Sequence, residues 1–215
     1  MFKYYISTGT SFAFDIIKRE KQLISVLRET VTSYTVSSFV DSENHKDLRD
    51  VIIVLSASVK CVGSEIRVDP GPGLACLVED SILKAQGISM ILGNSKNKNK
   101  NPVAERAIEE VEMEILKIAP DKGPITKVTL ALATAATNSR IRRDKLSSRE
   151  LWTKRDQLTG KEVLVDDKVL IDNQVQSREA NHHHSAKSKA RGRPASLIHP
   201  ISIGSLIYLK SERSK

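Results

Sequence analysis

The sequence predicts an α/β domain, because runs with β-strand character and runs with helical periodicity alternate along most of its length. Residues 12–17, 23–31 and 34–40 follow one another as three β-rich runs, which predicts an antiparallel meander. Two further short apolar runs, at residues 66–69 and 88–92, are separated by segments with helical character. These observations predict a sheet of five strands with helices packed on it.

Composition fits one full domain with an appendage. The chain has 215 residues, of which 40% are hydrophobic and only 4% aromatic, so aliphatic side chains must fill the core. Neither a membrane-spanning run of about 18 apolar residues nor a signal peptide is apparent. The two cysteines, Cys61 and Cys76, indicate neither a disulfide framework nor a zinc site. We therefore expect an intracellular protein, nuclear or cytoplasmic, with no membrane partner.

Positive charge is concentrated near the end of the chain. The formal net charge is +8, and residues 176–215 hold eight Lys or Arg against two Glu. A basic segment of this kind suits a polyanion such as nucleic acid. The alternative is a solvated tail with no dedicated partner.

Two carboxylates, Asp69 and Glu105, lie close to predicted ends of secondary-structure elements. Asp69 closes a strand-like run and is followed at once by Pro-Gly-Pro-Gly, which no strand continues through. Glu105 lies one turn into a predicted helix, with 35 residues between it and Asp69. Asn101 suits the N-cap of this helix and Pro102 its first position. The predicted apolar stripe of the helix comprises Ala104, Ile108, Val111, Ile115 and Ile118. Taken singly, the two acids also fit a turn aspartate and a surface glutamate.

Together, D-P-G-P-G, an Asn/Lys-rich loop and N-P-V-A-E resemble the integrase core of LTR retrotransposons of the gypsy class. Those enzymes are D,D-35-E polynucleotidyl transferases with an RNase H-like fold. The resemblance implies a five-stranded mixed sheet with helices on both faces. It also implies that Asp69 and Glu105 are the second and third catalytic acids.

The start of the chain extends this resemblance. F-A-F-D, a basic turn and V-L-R-E-T-V-T-S-Y-T are similar to the opening strands of the same family, which makes Asp15 the first catalytic acid. Asp41, Asp47 and Asp50 are rivals, but they fall where a helix begins and resemble cap and solvent-face residues.

By the same resemblance, Asp15 bridges two Mg²⁺ ions, with Mn²⁺ as a substitute. Asp69 then holds one ion and Glu105 holds the other, and no zinc is implied. The implied activity is Mg²⁺-dependent DNA end processing and strand transfer, performed by a homo-oligomer on element ends and target DNA. The alternative is an inactive integrase-derived remnant that binds DNA or another partner.

Basic and amide side chains are the candidate DNA contacts. Residues 93–101 form a predicted loop before the helix of Glu105, where similar enzymes have a mobile active-site loop. Candidates in or after this loop are Lys96, Lys98, Lys100, Asn101 and Arg106. Candidates in the basic segment are Lys187, Lys189, Arg191 and Arg193. The motif Arg191–Pro194 fits an AT-hook, an import signal or a phosphate-binding patch.

The remaining elements complete the predicted domain organisation. Helices are predicted over residues 73–85, over residues 126–143 and from Ser147 or Ser148 onwards, with Trp152 as a packing residue. The catalytic core spans 1–165, a basic flexible linker 166–196, and the first strand of a truncated C-terminal β-barrel 197–215. The resemblance covers about residues 9 to 215 without the family's N-terminal zinc-binding module, so we expect a core truncated at both ends.

Overall fold

The computed structural model describes residues 8–59, 63–93, 101–121, 123–142 and 145–176. Its sheet has the order β3-β2-β1-β4-β5. The strands are β1 (Ser11–Arg19), β2 (Gln22–Glu29), β3 (Thr35–Val40), β4 (Ser64–Val68) and β5 (Ile88–Leu92). The first three strands pair antiparallel, whereas β4 is parallel to β1 and β5 is parallel to β4. The mixed five-stranded sheet is therefore confirmed.

Helices cover both faces of this sheet. They are α1 (His45–Ser58), α2 (Pro72–Ala75), α3 (Ser81–Ala85), α4 (Pro102–Ile118), α5 (Lys127–Ser139) and α6 (Ser148–Thr153). Alternation along β1 sends Phe12 and Phe14 into a core shared with α1, and Ile17 into a second core shared with α4 and α5. Helix α4 packs on β1 and β2, and α5 packs on β3. No helix of the described residues is long and apolar enough to cross a membrane.

The predicted meander is confirmed, with a tighter first turn than expected. β1 and β2 are joined through Glu20 and Lys21 alone, and Glu20 has a φ of 50°. At the outer edge of the sheet, the Asn138 side chain pairs with the backbone of Thr35. Its Oδ1 accepts from the Thr35 N–H at 2.9 Å, and its Nδ2 donates to the Thr35 carbonyl at 2.7 Å.

The buried face of α4 differs in part from the predicted stripe. Ala104, Val111 and Ile115 are buried as expected, but Ile118 is 45% exposed. Ala107, Glu110 and Glu114 complete the buried face instead. Ile118 lies on nearly the same side of the helix as Val111, but it is the last helical residue, before the Ala119 cap.

The prediction of one helix over residues 73–85 was wrong. This stretch contains α2, a 3₁₀ turn at Cys76–Glu79, and α3. Asp80 separates them because its extended backbone starts a new helix, and its carboxylate accepts from the N–H groups of Ile82 and Leu83.

The next two helices follow their predicted caps. Thr126 caps α5, which ends at Ser139 rather than Arg143, since Arg140 is already extended. Ser147 caps α6 with a capping box to Glu150. Trp152 stacks on Tyr34 with ring centroids 5.4 Å apart, which confirms its packing role.

The compact unit extends beyond the predicted end of the core. Residues 167–174 are helical, and Leu170 is buried in a small cluster with Val31 and Leu151. Contacts assign the chain up to Gln174 to this unit, so the first residues of the predicted linker belong to the core. The rest of that linker and the predicted barrel strand lie outside the described residues.

Candidate active site

Asp15 lies in β1, and Asp69 directly follows β4, the neighbouring strand. β1 and β4 pair in parallel, with Phe12 opposite Ile66 and Ala13 opposite Arg67. Continued by two residues, this register sets Asp15 beside Asp69, which directly follows β4. Residues in register on parallel strands point to the same face, so both carboxylates belong to the α4 face of the sheet.

Asn101 fastens this part of the sheet to the start of α4. Its side chain is 1% exposed, and its Nδ2 donates to the carbonyls of Phe14 and Arg67, each at 3.1 Å. Those carbonyls lie on β1 and β4, close to the two acids. Asn101 is the N-cap residue as predicted, but its side chain makes no capping hydrogen bond. The Nδ2 group is thus committed to two strands, and a contact between Asn101 and DNA stays a prediction.

Glu105 lies near enough to Asp15 for its charge to affect the Asp15 carboxyl. It lies in the first turn of α4 and is exposed. Burial raises the pKa of the Asp15 carboxyl above its ordinary value of 3.8. The Ile16 N–H, which donates to Asp15 Oδ1 at 2.8 Å, opposes this rise in the pKa. The negative charges of Asp69 and Glu105 raise the pKa of Asp15 further, so both predicted partners lie near enough to act on its carboxyl.

Glu43 is a fourth acid that the sequence reasoning did not identify. Its charge also raises the pKa of Asp15, and its carboxylate accepts from Lys18 Nζ at 2.5 Å. Gly73 lets this segment approach, because a Cβ there would lie 2.3 Å from the Glu43 carbonyl oxygen. The close contact explains one glycine of the Pro-Gly-Pro-Gly motif. Glu43 itself carries no sequence signal beyond being an acid after a strand.

The oxygen ligands present fit a hard divalent cation such as Mg²⁺. Asp69 Oδ1 is buried without a hydrogen-bond donor, and none of the three predicted acids forms an ion pair within the described residues. Among the described residues, no group of three Asp, Glu, His or Cys side chains is arranged to hold a metal ion. The acids thus share a face and an excess of negative charge without forming a closed ligand set.

The rival aspartates lie at a helix start or on the surface. Asp47 Oδ2 accepts from the Ser42 hydroxyl and from Asn44 Nδ2 at the start of α1. Asp50 is exposed beside Arg49, at 3.1 Å. Asp41 is exposed at the end of β3, by a groove against α5.

Of the other predicted DNA contacts, only Arg106 lies in the described residues. Its side chain is 65% exposed and pairs with Glu109 and Glu110, each at 3.2 Å. Lys96, Lys98, Lys100, Lys187, Lys189, Arg191 and Arg193 lie outside the described residues.

A second charged group, which the sequence reasoning missed, lies further along α4. Glu110 is 3% exposed and accepts from Arg28 at 2.6 Å and from Arg142 at 2.9 Å. Arg140 approaches it at 3.3 Å. We call Glu110 with Arg28, Arg106, Arg140 and Arg142 the Glu110 cluster. It ties β2, α4 and the segment after α5 together.

The charges within the Glu110 cluster compensate one another. Burial by itself would raise the pKa of Glu110, but the guanidinium groups of Arg28 and Arg142 outweigh burial and lower it to about 2. Burial lowers the pKa of Arg28 to about 10, against the opposing effect of Glu110. The only sequence signal for this cluster is that Glu110 falls on the buried side of α4, three residues after Ala107.

Solved structures of viral proteins share this architecture. The chain is similar to the catalytic core domain of BIV integrase, with a TM-score of 0.57 and 19% sequence identity over 67% of this chain and 94% of that one. It is also similar to a chain of the simian T-cell lymphotropic virus intasome in complex with PP2A regulatory subunit B56 gamma. There the TM-score is 0.59, with 12% identity over 74% of this chain and 59% of that one.

No family model and no curated protein matches the sequence. The fold defines the class: an α/β protein built on an RNase H-like sheet. Within that class, the chain has the fold of a retroviral integrase catalytic core.

Proposed function

We propose that this chain is the catalytic core of a gypsy-class retrotransposon integrase, which processes DNA ends and joins them to target DNA. The observation that carries the proposal is that Asp15 in β1 and Asp69, directly after the adjacent parallel strand β4, continue one register, with Glu105 close enough to affect the ionisation of Asp15. The spacing of the acids and the D-P-G-P-G and N-P-V-A-E motifs support it.

Asp15, Asp69 and Glu105 would hold Mg²⁺ in this proposal. When bound, the metal supplies activation of the attacking oxygen and charge compensation at the leaving oxygen. Asp15 and Asp69 are anchored by the sheet, and Asn101 keeps the start of α4 against both strands. The protein thereby fixes two acids rigidly and presents Glu105 from a helix that packs on the same face.

DNA and further copies of the chain are the proposed partners. One structural neighbour belongs to an intasome, which supports an assembled, DNA-directed role. The second candidate function is an integrase-derived protein that binds without catalysis. The observation that favours it is that the described acid, His and Cys side chains do not enclose a metal position.

The test is a DNA nicking and strand-transfer assay with Mg²⁺ or Mn²⁺ on the purified chain. Glu105→Gln keeps the size and helix propensity of the side chain but removes its charge, so activity should fall by orders of magnitude. Glu109→Gln is the matched control, since Glu109 is an exposed glutamate one turn along the same helix. It should retain nearly full activity.

Two outcomes would overturn the catalytic proposal. Equal activity in the parent and both variants would assign the nicking to a contaminant. An inactive parent that binds DNA as well as both variants would favour the non-catalytic candidate.

A further inference from the structure

Among the described residues, no helix covers one face of β4 and β5, next to the candidate active site. Their residues alternate, with Ser64, Ile66 and Val68 buried against α1 and its neighbours, and Glu65, Arg67 and Ser89 exposed. Helices α4 and α5 cover β1, β2 and β3 on that side, and no described helix packs over β4 or β5 there. We call Glu65, Arg67, Ser89 and the half-buried Ile91 the open β4–β5 face.

Arg67 links this face to the catalytic acids. It precedes Asp69 by two residues, so the two side chains share a face about 7 Å apart along the strand. The backbone of Arg67 is fixed, because its carbonyl accepts from Asn101 and its residue pairs with Ala13 on β1 and Ile91 on β5. The side chain of Arg67 thus starts from a fixed backbone position near the acids.

The Arg67 guanidinium has no partner among the described residues. It lies between Glu65 and Asp69 on one face, yet it forms neither an ion pair nor a hydrogen bond there. Within the described ranges, most arginine side chains bond to a carboxylate or a carbonyl, and Arg67 and Arg149 are the two that do not. An arginine left unpaired beside carboxylates keeps its bidentate donors for another anion.

We propose that Arg67 and the open β4–β5 face bind the phosphate backbone of the DNA strand that enters the acid site. The acids by themselves repel a polyanion, and a guanidinium at this position offsets that repulsion where the strand arrives. The face is polar rather than apolar, which suits a nucleic-acid backbone better than a protein core. This inference rests on the proposed function and adds to it the position of the DNA strand.

The first experiment measures DNA binding by the full chain without divalent metal. Arg67→Gln should weaken binding to duplexes of unrelated sequence alike, and it should reduce the slope of log K against log salt by about 1. Arg67→Lys should restore the slope, because a lysine still neutralises one phosphate. Arg149→Gln removes the same charge from another exposed, unpaired arginine of the described chain, on α6 beside α5, and should leave the slope as in the parent.

A second measurement follows turnover in the nicking assay. Loss of a contact made equally in the ground and transition states raises KM and leaves kcat unchanged, so Arg67→Gln should behave in this way. Its unfolding midpoint should equal that of the parent, because the side chain is exposed.

The outcomes separate this inference from the proposed function. If Arg67→Gln has the parent's salt slope while Glu105→Gln abolishes nicking, the Arg67 contact is wrong and the catalytic proposal stands. If the slope falls although no variant or parent cleaves DNA, the contact is supported and the catalytic proposal fails. If Arg67→Gln instead changes the sedimentation of the free protein, the open face binds another copy of the chain and the inference is overturned.

Discussion

Two of the five glutamates of helix α4, Glu105 and Glu110, lie in opposite electrostatic surroundings. Glu110 is buried and contacts four arginines, and its pKa is lowered to about 2. Glu105 is exposed, forms no ion pair within the described residues, and raises the pKa of Asp15 by its charge. One helix thus holds a compensated acid and an uncompensated one.

The comparison distinguishes carboxylates that stabilise the fold from carboxylates that destabilise it. Around Glu110 each buried charge has a partner, and the cluster joins elements distant in sequence. Around Asp15, burial and the nearby negative charges of Asp69 and Glu105 raise the pKa of its carboxyl, so its ionised form costs stability in the folded state. Uncompensated charge at a defined place is typical of a site that awaits a ligand of opposite sign.

The largest expected loss of stability comes from removing the negative charge of the Glu110 cluster. Glu110→Gln leaves Arg28 buried without its anion, and we expect a loss of about 3–5 kcal/mol in the free energy of unfolding. The folded pKa of Glu110 is depressed from 4.5 to about 2. Its stabilisation is therefore full above pH 4.5 and disappears as the pH falls towards 2. Urea denaturation at several pH values measures both effects.

Glu109→Gln is the control for this prediction. Glu109 is 62% exposed and, within the described residues, paired only with Arg106. Its loss should change the free energy of unfolding by no more than about 0.5 kcal/mol. Equal stability of the two variants would show that the Glu110 cluster is not a stabilising unit.

A smaller effect, a gain in stability, is expected when the Asp15 carboxylate is removed. Asp15→Asn removes a carboxylate whose folded pKa is raised, so the metal-free protein should gain stability at neutral pH, on the order of 1 kcal/mol. The parent loses this stability as the pH rises from 3.8 through the raised folded pKa, and the variant does not. Thermal unfolding between pH 3 and pH 8 without divalent metal detects the difference.

Magnesium should make the parent more stable than Asp15→Asn, the reverse of their order without metal. A ligand that binds the folded state stabilises it, so Mg²⁺ should raise the unfolding midpoint of the parent and have little effect on Asp15→Asn. A variant that is less stable than the parent at pH 7 without metal would contradict the picture of repelling acids.

The smallest change in stability should come from Glu105→Gln. Because Glu105 is exposed, the free energy of unfolding should move by no more than about 0.5 kcal/mol, towards greater stability. Chemical denaturation of this variant beside Glu110→Gln gives the sharpest contrast, since the same substitution is made twice on one helix. Comparable losses from both would remove the distinction between the two regions.

Much of the fold could be predicted from local patterns, and the candidate acids follow from the resemblance of their motifs to the integrase core. Alternation predicts that Asp15 lies on a strand and that Asp69 closes one, and the Asn101–Pro102 pair marks the start of the helix that carries Glu105. The Glu110 cluster could not be predicted, because Arg28 and Glu110 are 82 residues apart and each resembles an ordinary surface charge. Nor could the break at Asp80, because the apolar pattern of residues 73–85 suits one helix as well as three short pieces.

The side chain of Asn138 has a consequence for how separate molecules meet. The outer edge of β3 is a row of backbone donors and acceptors, on which a strand from another chain can add. Asn138 occupies both groups of Thr35 in the way a neighbouring peptide unit does. An incoming strand must therefore break two hydrogen bonds before it pairs at that residue. At Thr35, this amide therefore opposes edge-to-edge pairing between the sheets of two molecules.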